Sequence, residues 1–183
     1  NYDDFWFDEM VSFWLSDPKI KFEETMERIF SSNLMISYEL FLKFYHYLLS
    51  YDVYTSRYFS ALISILSLIL FCNLLHKNSS KDSVILGLFL LVINIYHIKY
   101  SLELRSYIFT FFLALVLINI IFTNKKLKEI YRFSDYLLIF FISLVMLFSH
   151  AFSIIIIFSL IFYLLINLDK KNKIYLILTL ILS

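Results

Sequence analysis

Two adjacent carboxylates, Asp8 and Glu9, follow two aromatic residues near the start of the chain. A carboxylate can accept the proton of an attacking hydroxyl group, and a like charge beside it raises the pKa of such a group. The pair therefore indicates a general base with a second acid or ligand next to it. The alternative is a solvated acidic loop, because Asp3 and Asp4 lie close by in the sequence.

A second candidate group combines Glu103 and Arg105 in a short polar connector. Their side chains point the same way if the segment is extended and diverge if it is helical. An arginine at a membrane face is suited to a bidentate grip on a phosphate group. The alternative is an ordinary connector whose ionised side chains reach toward the lipid headgroups.

Arg57 and His150 are single candidates at the ends or in the middle of apolar runs. Arg57 begins an apolar run, where it either binds an anionic headgroup or serves as an interfacial anchor. His150 interrupts another run, and ionisable residues inside such runs are functional candidates by default. At a turn near the interface, however, the same histidine is simply solvated, so both interpretations stay open.

The composition of the 183 residues shows what kind of protein must position these groups. Hydrophobic residues make up 61% and charged residues 17%, whereas soluble domains have about 45–50% and about 25%. A single Gly and a single Pro argue against collagen-like, disordered and all-β classes. The lone Cys72 excludes a disulfide framework and a thiolate metal cluster. The composition therefore predicts an all-α polytopic membrane protein, with no sign of nucleic-acid binding.

The apolar runs divide the chain into two regions. We predict a loop region with short interfacial helices over residues 1–56 and a transmembrane bundle over 57–183. A membrane-spanning helix needs about 20 residues. The predicted spans lie at about 57–76, 83–101, 107–123, 135–149 and 151–167, with a truncated one at 174–183.

The long apolar run 136–166 must be cut in two. As one helix it would be about 46 Å long, which exceeds the bilayer core of about 30 Å. The connectors 76–82, 124–135 and 167–173 carry the lysine and arginine that mark cytoplasmic loops. Because the loops before and after the run 136–166 both lie in the cytoplasm, the run must cross the membrane twice. The polar pair Ser149 and His150 in its middle is the predicted bend.

The same topology places the candidate residues together on one side of the cell membrane. Residues 1–56, the connector 99–106 and the bend at His150 all fall on the extracytoplasmic face. Most acidic residues of the chain lie before Arg57, so the first loop is acidic. The chain begins without Met and stops inside an apolar run, which predicts a fragment lacking the first span and the C-terminal part.

Taken in order, these segments resemble a known family. Residues 6–9 (Trp-Phe-Asp-Glu) resemble the W-x-D-E opening of the first external loop in bacterial GT-C membrane glycosyltransferases. Within this class, the resemblance is to the dolichyl-phosphate-mannose–protein mannosyltransferase-like family, glycosyltransferase family 39 and its relatives. Residues 56–62 are similar to the s-x-R-x-x-S-x-L start of the following span, with Arg57, Ser60 and Leu62 at the spacing of its R-x-x-S-x-L part. Residues 100–107 are similar to the y-s-x-E-x-R-x-Y second external loop.

The resemblance covers roughly residues 5–165, with one departure. His150 falls where these proteins often carry a histidine at the next external bend. Many relatives have prolines just before the position of Tyr38, and this chain has none there. The match in order, spacing and predicted face predicts a GT-C-like transmembrane bundle.

The resemblance implies a transferase that uses a polyprenyl-phosphate-linked sugar at the extracytoplasmic face and inverts the anomeric carbon. Asp8 would deprotonate the acceptor hydroxyl, and Glu9 would orient the acceptor or Asp8. The donor phosphate and sugar would be held by Arg57, Glu103, Arg105, Tyr107 and His150. The acceptor would be a lipid, a glycan or a protein. A divalent metal assists some members of the class, so a metal cofactor stays possible here.

Two other classes of protein remain as alternatives. Transporters tend to have helices broken by Gly or Pro and polar residues at the bilayer midplane. The predicted spans of this chain carry almost none of these, so a transporter for a lipid-linked substrate is disfavoured. A non-catalytic membrane partner that has kept the scaffold is the other alternative. It predicts indifference to Asp8→Asn and to Arg105→Ala, whereas a transferase needs both side chains.

Overall fold

The computed structural model describes residues 6–32, 35–123 and 133–168. Over these ranges it contains nine helices and no strand, which confirms the all-α class for that part of the chain. Asp3 and Asp4, the connector 124–132 and the predicted span 174–183 lie outside the described residues. The helices are α1 (Phe7–Leu15), α2 (Phe22–Ser31), α3 (Ile36–Leu48), α4 (Val53–Asn78), α5 (Lys81–Val92), α6 (Ile95–Leu102), α7 (Ser106–Thr123), α8 (Phe133–Leu147) and α9 (Ser153–Asn167).

The N-terminal region contains three short helices. Apolar residues recur at helical spacing over 22–30 and 38–49 in the sequence, and α2 and α3 cover nearly the same residues. Helix α1 begins directly after Trp6, so the pair Asp8 and Glu9 lies in a first helical turn and not in a loop. Acidic side chains are favourable there, because the N-terminal end of a helix carries a partial positive charge.

Helix α4 is the central element of the bundle, and it packs most extensively against α7. Its N-terminus is capped by Asp52, whose carboxylate accepts hydrogen bonds from the backbone N–H groups of Tyr54 and Thr55, both at 3.0 Å. A stripe of buried serines runs along one side of the helix. Its members are Ser56, Ser60, Ser64 and Ser67. Small side chains at this spacing allow two helix backbones to approach closely.

The hydrophobic core lies between α4, α7, α8 and α9. Toward the C-terminal ends of α4 and α7 the amide of Asn73 donates to Asn119 Oδ1 at 3.1 Å, which joins the two helices. Within the described ranges α4 is the one helix long and apolar enough to cross a membrane. The bent pair α5 and α6 becomes a second candidate if it counts as one span, and α7, α8 and α9 are shorter apolar helices.

The predicted span at 83–101 is not one continuous helix. It breaks at Ile93 and Asn94, where α5 and α6 meet at an angle of 56°. The break has a local cause, because the Asn94 side chain accepts hydrogen bonds from the N–H groups of Tyr96 and His97 at 2.9 and 3.1 Å. Asn94 thereby caps a new helix in place of continuing the old one.

The long apolar run 136–166 is interrupted between α8 and α9, at the predicted position. Ser149 donates its hydroxyl to the carbonyl of Met146 at 2.7 Å, and Ser153 donates to the carbonyl of His150 at 2.6 Å. The backbone N–H of Ser37 donates to the carbonyl of Phe148 at 2.9 Å. The start of α3 is thereby fastened to this bend, which brings the N-terminal helices over the end of the bundle.

Candidate functional site

A cavity of about 650 Å³ lies where α1, α3, the start of α7 and the α8–α9 bend meet. This volume falls within the range of small-molecule sites, which is about 300–1,000 Å³. Helix α1 contributes Asp8 and Trp14 to the wall, and the start of α7 with its connector contributes Arg105 and Tyr107. His150 approaches from the bend. Four residues singled out in the sequence therefore line one cavity, although they are far apart along the chain.

Asp8 and Arg105 form an ion pair at the cavity wall. The Asp8 side chain is 57% exposed and that of Arg105 is 31% exposed, so a ligand can reach both groups. The guanidinium carbon of Arg105 lies 5.5 Å from the ring centre of Tyr107, which limits its movement by a cation–π contact. A carboxylate and a fixed cation therefore stand side by side at the cavity.

Glu9 has a different environment from its neighbour Asp8. It is fully buried at 0% exposure and does not line the cavity. Its Oε2 accepts from Arg57 Nη2 at 3.0 Å and from the N–H of Trp6 at 3.2 Å, and its Oε1 accepts from the N–H of Leu104 at 2.7 Å. Glu9 therefore joins α1 to α4 and to the connector that carries Arg105.

Arg57 and Glu103 are close to the cavity residues in sequence or in space but do not line the cavity. Arg57 is held by Glu9, so the structure does not bring it to the place expected for a phosphate ligand. Glu103 forms an ion pair with Lys99 at 3.7 Å, and its carbonyl accepts from the N–H of Arg105 at 3.0 Å. Both residues shape the surroundings of Arg105.

Tyr107 and His150 form an aromatic pair in the cavity, with ring centres 4.9 Å apart. The Nδ1 atom of His150 accepts a hydrogen bond from the N–H of Phe152 at 3.2 Å. Because a backbone N–H needs a lone pair, the neutral ring carries its proton on Nε2. Burial, and after it the positive charge of Arg105, lowers the pKa of His150. The ring is therefore neutral and offers Nε2–H as a donor.

The sequence analysis missed Glu39 and Ser12, which also line the cavity. Glu39 is only 3% exposed, and Ser12 donates its hydroxyl to Glu39 Oε1 at 2.9 Å. Burial raises the pKa of Glu39 to about 7, against the opposing effect of the Ser12 hydrogen bond. One signal for Glu39 exists in the sequence. Glu39 lies three residues before the apolar Leu42, and this spacing places both on one face of a helix. The structure shows that this face is buried, because Leu42 is completely buried.

The described residues supply no group of three or more His, Cys, Asp or Glu side chains suited to hold a metal ion. The possible divalent metal therefore stays a prediction without identified ligands. Comparisons with protein-family models, with curated proteins and with solved structures found no match. The resemblance to GT-C glycosyltransferases thus rests on the short motifs of the sequence.

Proposed function

We propose that the chain belongs to an inverting membrane glycosyltransferase that moves a sugar from a polyprenyl-phosphate-linked donor to an acceptor hydroxyl. One observation carries this proposal. Asp8 and Arg105, to which the family resemblance gives the roles of base and phosphate ligand, lie side by side at the wall of a cavity of about 650 Å³. Tyr107 and His150 line the same cavity.

The ion pair suggests how donor binding prepares the reaction. A donor phosphate can replace the Asp8 carboxylate as the partner of Arg105, because it too offers two oxygens for parallel hydrogen bonds with the planar guanidinium. When the phosphate replaces Asp8 as the partner of Arg105, the Asp8 carboxylate becomes available to the acceptor. His150 Nε2–H and the Tyr107 hydroxyl are further donors for a phosphate or sugar oxygen.

The proposed transfer step assigns one role to each of these residues. The acceptor oxygen attacks the anomeric carbon on the side opposite the phosphate, and Asp8 accepts the hydroxyl proton. The bond between the anomeric carbon and the phosphate oxygen breaks, and its electron pair leaves with the phosphate. Arg105 stabilises the charge that develops on that phosphate. The products are the glycosylated acceptor and free polyprenyl phosphate.

The surface of the helices supports a multi-pass position in the cell membrane. Large apolar side chains are exposed on α4, α5, α8 and α9, for example Ile65, Ile85, Phe89, Phe141 and Phe158. Soluble monomers rarely expose apolar surface on this scale, whereas a bilayer covers it. The cavity would face the extracytoplasmic side, because its walls come from segments that the charge pattern assigns to that side.

A transporter for a lipid-linked substrate is the second candidate, and one observation favours it. The 56° break between α5 and α6 at Asn94 is the kind of interruption found in transporters. However, no residue of α5 or α6 is among those that line the cavity. A transporter would also move its substrate without breaking the bond between sugar and phosphate.

A release assay tests the proposal. Full-length protein in liposomes would receive a panel of polyprenyl-phosphate sugars with lipid, glycan and peptide acceptors, and free polyprenyl phosphate would be measured. We expect release by the wild type and a loss of at least about 100-fold for Arg105→Ala. Lys21→Ala is the matched control, because Lys21 is an exposed cation away from the cavity. Equal release by Arg105→Ala, or donor movement across the bilayer without any release, would contradict the proposal.

A further inference from the structure

The cavity wall contains an acidic side chain that the transfer step does not use. Glu39 lines the cavity from α3, and Ser12 of α1 holds its Oε1 atom. Its other oxygen, Oε2, is buried and has no hydrogen-bond partner within the described residues. Buried polar atoms in native proteins are nearly always hydrogen-bonded, so an exception beside a cavity points to a ligand.

The protonation state of Glu39 indicates what kind of group it suits. Because burial raises its pKa to about 7, the carboxyl group is neutral at lower pH. A neutral carboxylic acid offers one O–H donor together with acceptor capacity, which matches a hydroxyl group. A phosphate would find a better partner in Arg105, whose charge is permanent.

The position of Glu39 relative to Asp8 fits a sugar. Asp8 and Ser12 are four residues apart on α1, so they lie on the same face about 6 Å apart along the helix axis. Both line the cavity. The Ser12–Glu39 pair therefore stands one helical turn away from the proposed base. A group bound to Glu39 would be close to the reacting atoms without being one of them.

We propose that Glu39 is a specificity-determining residue: a small turn of its buried carboxyl group brings Oε2 to the cavity, where it hydrogen-bonds a sugar hydroxyl, while Ser12 stays bonded to Oε1. This inference rests on the proposed function and extends it to the recognition of the sugar. The hydroxyl belongs either to the donor sugar or to a glycan acceptor. Both sources present the same chemistry, and the experiment separates them.

The test compares Glu39→Leu, which removes all hydrogen bonding, with Glu39→Gln, which keeps it. Glu27→Leu is the matched control, because Glu27 is exposed on α2 and does not line the cavity. In the first arm, full-length protein in detergent is titrated with a polyprenyl-phosphate hexose and with bare polyprenyl phosphate. Binding is followed by tryptophan fluorescence, since Trp14 lines the cavity. In the second arm, KM for a glycan acceptor is measured.

We expect Glu39→Leu to weaken hexose-lipid binding, or to raise the acceptor KM, by about 3- to 10-fold. Binding of bare polyprenyl phosphate should stay unchanged, and Glu39→Gln should lie closer to the wild type. The arm that changes identifies the source of the hydroxyl. No change in either arm, or an equal loss for bare polyprenyl phosphate, would overturn the assignment.

A second variant keeps the proposal testable if Glu39→Leu does not fold. Ser12→Ala leaves the carboxyl group without the hydroxyl that orients it. It should therefore weaken donor binding, or raise the acceptor KM, in the same arm as Glu39→Leu. Wild-type values for Ser12→Ala in both arms would overturn the proposal. Failure of the wild type to bind any lipid-linked sugar would overturn the proposed function together with this contact. Normal donor binding together with a normal acceptor KM, in both the wild type and Glu39→Leu, would overturn the contact alone.

Discussion

The buried carboxylate of Glu9 should contribute to stability, whereas its neighbour Asp8 should contribute to turnover. Glu9 accepts hydrogen bonds from Arg57, Leu104 and Trp6 at 3.0, 2.7 and 3.2 Å. Glu9→Gln keeps the size of the side chain but loses its charge. These partners of Glu9 are all N–H donors, so the amide NH₂ of Gln would face a donor where a carboxylate oxygen now accepts a hydrogen bond. The substitution therefore breaks a buried ion pair without creating a cavity.

The magnitude follows from the burial of the two partners. Breaking a fully buried ion pair costs about 3–5 kcal/mol. Arg57 is 31% exposed and can keep part of its hydration, so we expect a loss of about 2–3 kcal/mol, the range of a hydrogen bond to a charged group. For a domain of this size such a loss lowers Tm by roughly 5–10 °C.

The assay is thermal unfolding of the full-length protein in detergent, followed by circular dichroism. Asp8→Asn is the matched control, because it removes a neighbouring carboxylate whose ion pair is exposed. An exposed pair contributes at most about 1 kcal/mol, so this control should shift Tm by less than Glu9→Gln does. A Glu9→Gln protein that unfolds at the wild-type temperature would refute the argument that Glu9 joins α1 to α4.

Three further predictions concern the bundle and the cavity. Asn119→Leu removes the hydrogen bonds of Asn119 with the Asn73 amide and with the Leu70 carbonyl and should lower the free energy of unfolding by about 1–2 kcal/mol; an unchanged thermal transition would contradict this. The pKa of Glu39 is raised from 4.5 to about 7 in the folded protein, so the native state holds a proton that the unfolded state releases. The wild type should therefore lose about 3 kcal/mol of stability relative to Glu39→Gln as pH rises through this window, and a pH-independent difference would contradict it. In Gly87→Ala the new Cβ would lie 2.6 Å from Leu75 Cδ1, the end of a flexible side chain. Rotation of Leu75 and the better helix propensity of Ala should keep the change within about 1 kcal/mol, whereas a loss above about 2 kcal/mol would show that Leu75 cannot move.

Several features of the fold follow from the sequence, because they depend on local patterns. The scarcity of turn-forming residues and the long apolar runs predict an all-helical chain, as the described residues show. The polar pair Ser149 and His150 predicts the break between α8 and α9. The positions of the polar residues at the ends of the apolar runs predict that the candidate groups lie on the same side of the membrane. In the structure Asp8, Arg105, Tyr107 and His150 line one cavity.

Other features depend on contacts that no local pattern encodes. Asp8 and Glu9 separate because α1 begins before them, and successive residues on a helix point about 100° apart. Glu39 became buried because α1 packs over α3, so that Ser12 could reach it across 27 residues of chain. The break at Asn94 arose from a side chain that caps a helix inside an apolar run.

The most direct test of the central claim is a single-turnover measurement on Asp8→Asn. Full-length protein is loaded with a lipid-linked sugar that it binds, an acceptor is added, and free polyprenyl phosphate is followed over time. Glu27→Gln serves as the control for loss of a carboxylate away from the cavity. The account predicts that Asp8→Asn binds the donor at least as tightly as the wild type, because Arg105 no longer pairs with a carboxylate, but releases polyprenyl phosphate at least about 100-fold more slowly. Equal release rates for Asp8→Asn and the wild type would contradict it.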